Sequence, residues 1–222
     1  MSFSVVILSK NAANLEVCWN AILHRDAASK VIVVDDGLSN RDIEGWGEPV
    51  RIIDGEKPFI FARNANIGIH AAGDDNVIIL NDDALLQTPS GFSALERVSQ
   101  EHPEFGVIAA TCNSVGNPNQ FPQNVGLRED PRMVCFVCVY IPRSTINAVG
   151  LLDERFTGYG MDDDDYCLRV RKAGLKIGIY DGCFVDHLLL KSEFRGHGCG
   201  DFRPNLELFK QKWGVDNWGN PA

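Results

Sequence analysis

The chain lacks any excess of positive charge: its 21 Lys and Arg are outnumbered by 30 Asp and Glu, for a formal net charge of −9. Binding to a phosphate backbone or an anionic membrane needs clustered cations, so this balance argues against nucleic acid as a partner. The densest basic cluster, residues 169–176, alternates with apolar residues and reads as one face of an amphipathic helix. No apolar run approaches the ~20 residues of a membrane-spanning helix, which implies a soluble protein without an integral membrane segment. The amino terminus enters a strand with no basic and apolar leader, so no secretory signal is read there. Internal repeats and low-complexity segments are also missing. Disulfide patterning is missing too, because the seven cysteines, Cys18, Cys112, Cys135, Cys138, Cys167, Cys183 and Cys199, are odd in number and scattered. Their mostly apolar surroundings suit reduced, buried thiols in a cytoplasmic protein. Cys135 and Cys138 have CxxC spacing inside the apolar run 133–141, where strand alternation is favoured over a metal or redox pair.

What is present is a packed α/β pattern. With 222 residues, 45% of them hydrophobic, the chain fits one domain of generous size. Short apolar runs at residues 4–8, 30–34, 51–53, 77–80, 106–111, 133–141 and 176–180 read as strands. Between them, helices are expected from the polar turn 9–14 to about His24, and at 61–72, 92–101, 143–149, 166–173 and 206–213. Strands alternating with helices imply a mainly parallel sheet, Rossmann-like in its first half and mixed in its second. Residues 113–132, rich in Asn, Gly, Gln and Pro, read as a long loop that is functional or mobile. The Gly-rich piece 195–203 reads as flexible.

Chemistry concentrates where apolar runs end in acids. Val77-Ile78-Ile79-Leu80 runs straight into Asn81-Asp82-Asp83. The carboxylates therefore fall at a strand's carboxyl end, where open α/β sheets bind ligands. Two adjacent carboxylates repel each other and are normally kept beside a cation. Asp35-Asp36-Gly37 ends the second strand at the same sheet edge, where a carboxylate can accept from a base or ribose, or simply form a turn. Asp162-Asp163-Asp164-Asp165 precedes a helix. Capping rewards one or two acids there by a few tenths to ~1 kcal/mol, so four in a row point to a function for at least one. Asp186-His187 follows a further apolar stretch, and a His so presented suits a metal ligand or a structural role.

In their order and spacing these pieces resemble a GT-A-fold, family 2-type glycosyltransferase over almost the full length. The matching residues are Val5–Leu8, Val33-Val34-Asp35-Asp36-Gly37, Ala62-Arg63-Asn64 with Asn66-Ile67-Gly68, and Ile79-Leu80-Asn81-Asp82-Asp83. Gly150-Leu151-Leu152-Asp153-Glu154-Arg155-Phe156, the run 162–174, His187 and Lys212-Trp213-Gly214 follow. The resemblance implies a single domain over 1–222, with a nucleotide-binding half to about residue 112 and an acceptor and catalytic half from about 113. It implies a nucleotide-diphosphate sugar donor, most often a UDP-sugar, and transfer with inversion to a carbohydrate or other hydroxyl acceptor. Asp35 would bind the nucleobase with Asp36 nearby, and Arg63 would lie near base and diphosphate. Asp82 would accept from the ribose, and Ser9, Asn11, Asn66 and Asn81 complete the nucleotide-binding set. Asp83, as the carboxylate of the DXD motif, and His187 would hold Mn²⁺ or Mg²⁺. Asp163 would be the general base beside Asp162, and Tyr159 and Gly160 are candidates for acceptor contact. Asn-Asp-Asp replaces Asp-X-Asp, so Asn81 is expected to make no metal bond, and Asp162 stands where the family usually has Glu. The absence of a Gln-X-X-Arg-Trp motif favours transfer of single sugars over processive synthesis.

Three other classes compete. A sugar nucleotidyltransferase would need a Gly-rich basic loop after the first strand, and Ser9-Lys10-Asn11-Ala12-Ala13-Asn14 is not one. A receiver-like domain would explain Asp35-Asp36 but not the later acids with His187. A non-catalytic nucleotide-sugar or glycan-binding module on the same fold predicts loss of acids that are present here.

Overall fold

The computed structural model describes residues 2–27, 30–38, 50–187 and 201–216. Strand β1 (Phe3–Ser9) is apolar on both faces and buried along its length, as a central parallel strand requires. It leads into α1 (Ala12–Arg25), whose first free N–H groups, those of Ala13 and Asn14, are capped by the Asn11 side chain. Then come β2 (Lys30–Asp35), β3 (Val50–Asp54), α2 (Phe61–Ala71), β4 (Asn76–Asn81), β5 (Ala84–Leu86), α3 (Gly91–Glu101) and β6 (Phe105–Cys112). The second half holds a 3₁₀ turn (Pro118–Gln120), β7 (Leu127–Asp130), β8 (Cys138–Ile141), α4 (Arg143–Val149), α5 (Asp162–Lys172), β9 (Lys176–His187) and α6 (Arg203–Trp213).

The strands form a single sheet in the order β3-β2-β1-β4-β8-β6-β9-β5, with β7 also on β9. Its first four members are parallel, β8 runs antiparallel to both β4 and β6, and β6 and β9 are parallel. Chain order reverses direction across the sheet at β1, so the crevice beyond the carboxyl ends of β1, β2 and β4 is the topological switch point. Helices α1 and α3 cover one face through Leu15, Trp19, Ile22, Phe92, Leu95 and Val98. On the other face α2, α4 and α5 contribute Ala65, Ile69, Ile146, Tyr166 and Val170. A smaller cluster of Phe156, Met161 and Phe209 seats α6.

The fold is therefore the expected α/β domain with a parallel first half, and several expectations need correction in the second. Residues 113–132 are not a bare loop: they contain the 3₁₀ turn and β7, because Leu127–Asp130 pairs with β9 from Tyr180 to Ile177. The strand expected over 133–141 is confined to Cys138–Ile141, since Met133 is fastened instead by the Asp130 and Asn117 side chains. β9 does not stop at Tyr180; after a bulge it runs on to His187 against Cys112 and β5, a strand that the acidic turn before it concealed. Helix α5 begins at Asp162 rather than at residue 166, so the acids are its first turn. The six described cysteines are free, but Cys199 and residues 195–200 of the Gly-rich piece lie outside the described residues. Among the described residues, no helix is long and apolar enough to cross a membrane.

One close approach sets how α2 lies on β1. A Cβ added at Gly68 would fall 2.2 Å from Val6 Cγ1 and 3.2 Å from Val34 Cγ2, both buried strand side chains. We predict that Gly68→Ala destabilises the fold by about 1–3 kcal/mol through overpacking, despite alanine's better helix propensity. Urea denaturation measures this, and an unchanged midpoint would show that the helix can lift at no cost.

Candidate active site

The carboxyl ends of β1, β2 and β4 surround a cavity of about 340 Å³, lined by residues 8–14, Asp36, Phe59 and Asp82. That is a size suited to a small ligand such as a nucleoside. Ser9 closes its floor: its hydroxyl donates to Asp82 Oδ2 at 2.6 Å, and its carbonyl accepts from Asp36 N–H at 2.9 Å. Asn11 contributes its backbone to Ser9 and its side chain to the α1 cap, so it shapes the rim. Burial pushes Asp82 up to about 6 against the hydrogen bond from Ser9, with the neighbouring Asp83 charge adding to the rise.

The two acids after β2 divide the work. Asp35 Oδ1 accepts from the N–H groups of Gly37 and Leu38, both at 2.6 Å, and so builds the turn. Asp36 is 8% exposed and lines the cavity, and its Oδ1 is buried with no hydrogen-bond partner among the described residues. Burial raises its pKa, opposed by Lys57 and Lys10. Arg63, at the start of α2, lies between Glu56 at 3.1 Å and Glu154 at 3.5 Å. Asn66 is buried one turn on, where its amide takes the backbone of Leu152 in both directions at 3.0 Å and also donates to Glu154. Asn66 thus ties the 150–156 loop to α2 instead of lining the cavity.

Asp83 meets His187 at the far end of the β5–β9 pairing, with Nε2 3.1 Å from Oδ1. His187 Nδ1 lies 2.6 Å from the Ser114 carbonyl, an acceptor only, so Nδ1 carries the proton. The Nε2 lone pair of the neutral ring then faces a carboxylate oxygen, and only a cation, a proton or a metal ion, reconciles the two acceptors. A carbonyl on the second nitrogen is also what orients a metal-binding imidazole. Asn113 adds to the fixing, accepting from His187 N–H at 2.8 Å and donating to Asp186 at 2.5 Å. Among the described residues, no group of three or more His, Cys, Asp or Glu is arranged to hold a metal. The backbone N–H of Asn81 donates to Val137 O at 2.9 Å, which stitches the acidic turn to the start of β8.

That stitch leads to the acids of α5. Two residues before Val137, Cys135 is gripped by Gln120 on both sides, and its thiol is pushed up by burial and by the Asp163 charge. Asp163 therefore lies near the segment that joins the acidic turn of β4. The four acids of α5 have separate environments. Asp165 is fully buried and neutralised by Arg169 at 3.0 Å, Lys212 at 2.6 Å and the Trp213 indole at 2.8 Å. Among the described residues no cation pairs with Asp162 or Asp163; burial raises Asp162 to about 6, and burial followed by the Asp162 charge raises Asp163 to about 7. Such a pair loses its protons in two linked steps.

Upstream, Asn205 of α6 pins the approach to these acids, accepting from Gly158 N–H at 3.2 Å and donating to Gly160 O at 2.7 Å. Tyr159 is carried between the two. Sequence reasoning missed Asn14, Phe59, Asn113, Ser114 and Asn205. Asn14 and Phe59 line the cavity, and the other three hold site residues from elsewhere in the chain. Their roles depend on long-range contacts that no local pattern announces.

The family model for glycosyl transferase family 2 matches residues 4–136, more than half of the chain, and the chain belongs to that family. Its GT-A fold is shared with solved structures at low identity. A crystal structure of GalNAc-T7 with UDP, GalNAc and Mn²⁺ superposes with a TM-score of 0.71 at 13% identity, covering 84% of this chain and 44% of that one. The mannosyltransferase PcManGT from Pyrobaculum calidifontis, in complex with GDP-Man and Mn²⁺, gives 0.69 at 15%, covering 87% and 59%. S. aureus TarS gives 0.64 at 14%, covering 83% and 36%. The uncharacterized protein y4gI of Sinorhizobium fredii (strain NBRC 101917 / NGR234) is 25% identical over 99% of this chain, which spans 28% of its length.

Two predictions follow from the geometry. In ¹⁵N–¹H spectra of metal-free protein, the His187 Nδ1 proton should exchange slowly and persist above the imidazole pKa; a ring protonated only at Nε2 would contradict the Ser114 contact. The acid pair bears on stability. Raised folded pKa values mean that the stabilisation is complete below the unfolded value of about 3.9 and is lost as pH rises through about 6 and 7. The double variant Asp162→Asn, Asp163→Asn should flatten that decline in urea midpoints, and an unaltered decline would show that other groups cause it.

Proposed function

We propose that this domain transfers a single sugar from a nucleotide-diphosphate donor, most plainly a UDP-sugar, to an acceptor hydroxyl with inversion. The observation that carries the reading is Asp83 facing the Nε2 lone pair of His187, one residue from Asp82 on the rim of a nucleoside-sized cavity. Family membership and the nucleotide and Mn²⁺ complexes of proteins sharing the fold support it.

In this reading the base enters beside Phe59, and the unpartnered oxygen of Asp36 accepts from a ring N–H. Asp82, oriented by Ser9, accepts from the ribose hydroxyls. A carboxylate and one imidazole fit Mn²⁺ or Mg²⁺, with the remaining positions left to diphosphate oxygens and water. When bound, the ion would offset the negative charge that develops on the departing diphosphate. Arg63 is held between two carboxylates at the entrance to α2, which keeps a guanidinium near the anion without collapse onto it. Asp163 accepts the proton of the attacking hydroxyl. Burial and the Asp162 charge raise its pKa, which makes it a stronger base than an exposed carboxylate. The nucleotide-binding half then extends to about residue 112, and the acceptor and catalytic half follows it.

Calorimetric titration with UDP, GDP and dTDP, each with Mn²⁺ or with EDTA, tests this. One diphosphate should bind only with the metal, and Asp83→Ala or His187→Ala should abolish that binding. Asp163→Asn should leave nucleotide binding intact while lowering turnover by ~10²–10⁴-fold. Binding of no diphosphate by folded protein would sink the proposal. Metal-dependent binding with no transfer by any donor would instead favour a nucleotide-sugar-binding module.

A further inference from the structure

Lys212 and Trp213 close helix α6, and the donor chemistry uses neither. Phe209 seats α6 against Phe156 and Met161, and its last turn then reaches the first turn of α5. The Lys212 ammonium lies 2.6 Å from Asp165 Oδ1 and 2.7 Å from Asp153 Oδ2. The Trp213 indole donates to the same Asp165 oxygen at 2.8 Å. Phe156 and Trp213 flank the ammonium, their ring centroids 5.8 and 5.2 Å from Nζ, so its position is fixed by packing as well as charge. Acids at the amino end of α5 and cations at the carboxyl end of α6 each suit their own helix dipole, and here the two ends meet. An exposed ion pair would contribute little, but Asp165 is fully buried and needs its partners.

We propose that Lys212, held by Trp213, is a positioning residue for the general base: through Asp165 it fixes the first turn of α5 and cancels a charge that would otherwise stand beside Asp162 and Asp163. This rests on the transferase reading of Asp163. Residues three apart on a helix are neighbours on one face, and the Asp165 charge bears on Asp162. Asp162 bears in turn on Asp163, whose Oδ1 accepts from Asp164 N–H at 2.9 Å. The other titratable groups facing the pair are Asp164 and Cys167 of α5 itself and Cys135 from the segment before β8. The cations of this neighbourhood stand on the Asp165 side: Arg169 of α5, Lys212 of α6 and, at longer range, Arg155. Removing the ammonium therefore leaves more negative charge beside the pair, and the protonated form of the base gains.

The test follows the carboxyl ¹³C resonances of Asp162 and Asp163 through pH, assigned with Asp162→Asn and Asp163→Asn, and needs neither donor nor acceptor. Lys212→Met keeps the stem and removes the charge, and the midpoint of the pair should rise by about 0.5–1 pH unit. Lys212→Arg should hold the parent midpoint, and Trp213→Phe, which loses only the N–H donor, should give a smaller rise. Adding Asp165→Asn to Lys212→Met removes the stranded carboxylate and should bring the midpoint back, which a merely structural role would not do. If Lys212→Met fails to fold, Asp165→Asn alone carries the test and should lower the midpoint. Midpoints unchanged in these variants, or a rise that Asp165→Asn does not reverse, would overturn the proposal. Nucleotide calorimetry on the unaltered protein separates the two readings: absence of diphosphate binding removes the transferase role of Asp163, whereas the charge linkage stands or falls by the titration.

Discussion

The constraint on which the rest depends is the accommodation of four consecutive carboxylates in the first turn of α5. A helix amino terminus stabilises one or two acids there, and the remainder must find a cation or a proton. The chain does both. Asp165 is handed three donors, Arg169 from its own helix and Lys212 and Trp213 from α6, and is buried without a stranded charge. Asp162 and Asp163 are left to retain protons toward neutrality. Neutralising one acid is what allows its neighbours to be buried beside it.

The same cations organise the surrounding loops. Lys212 also reaches Asp153 at 2.7 Å, and Arg155 holds that carboxyl well below the usual carboxylate range. Arg169 donates to Val149 O at 2.7 Å, so the end of α4 is tied to α5. The 150–156 loop is bound in turn to α2 through Asn66, and α2 carries Arg63. Helix α6 is thus linked through the 150–156 loop to α2 by a continuous run of ion pairs and amide hydrogen bonds. A change at Lys212 has a physical route to both α5 and α2.

Much of the first half was legible because it is local. β1, β2 and β4 are continuous apolar runs, the last two running into acids, and a parallel sheet places all their ends on one edge. That argument put Asp36 and Asp82 on one edge, and the family resemblance added Ser9 beside them. Asp83 came from the same edge and His187 as its partner from the resemblance, and the register Ala84↔His187 explains why they meet, with the extension of β9 held between β6 and β5. The roles within Asp35-Asp36 were not legible, because a turn-forming and a cavity-facing carboxylate have the same side chain and differ only in direction. β7 was hidden for a related reason: Leu127-Arg128-Glu129-Asp130 has little strand character of its own. It pairs because Arg128 and Asp181 form an ion pair at 2.9 Å and Asp130 collects four hydrogen bonds on its far side.

The stretch matched by the family model ends at residue 136, yet this is no structural boundary. β8 begins two residues later and inserts between β4 and β6, pairing antiparallel with both. Residues 4–136 alone would leave β4 and β6 with open edges where β8 pairs, Val77–Leu80 keeping only β1 as a partner, an arrangement prone to association. β9 supplies His187 to Asp83 and the main support for β5, and α5 and α6 supply the acids and their cations. The cavity is therefore built by the first half, while the Asp83–His187 pair beside it depends on the second. A protein cut at the end of the family match would lose half of the Asp83–His187 pair and the sheet that presents it, so the unit that folds and the unit that acts must include α5 and β9.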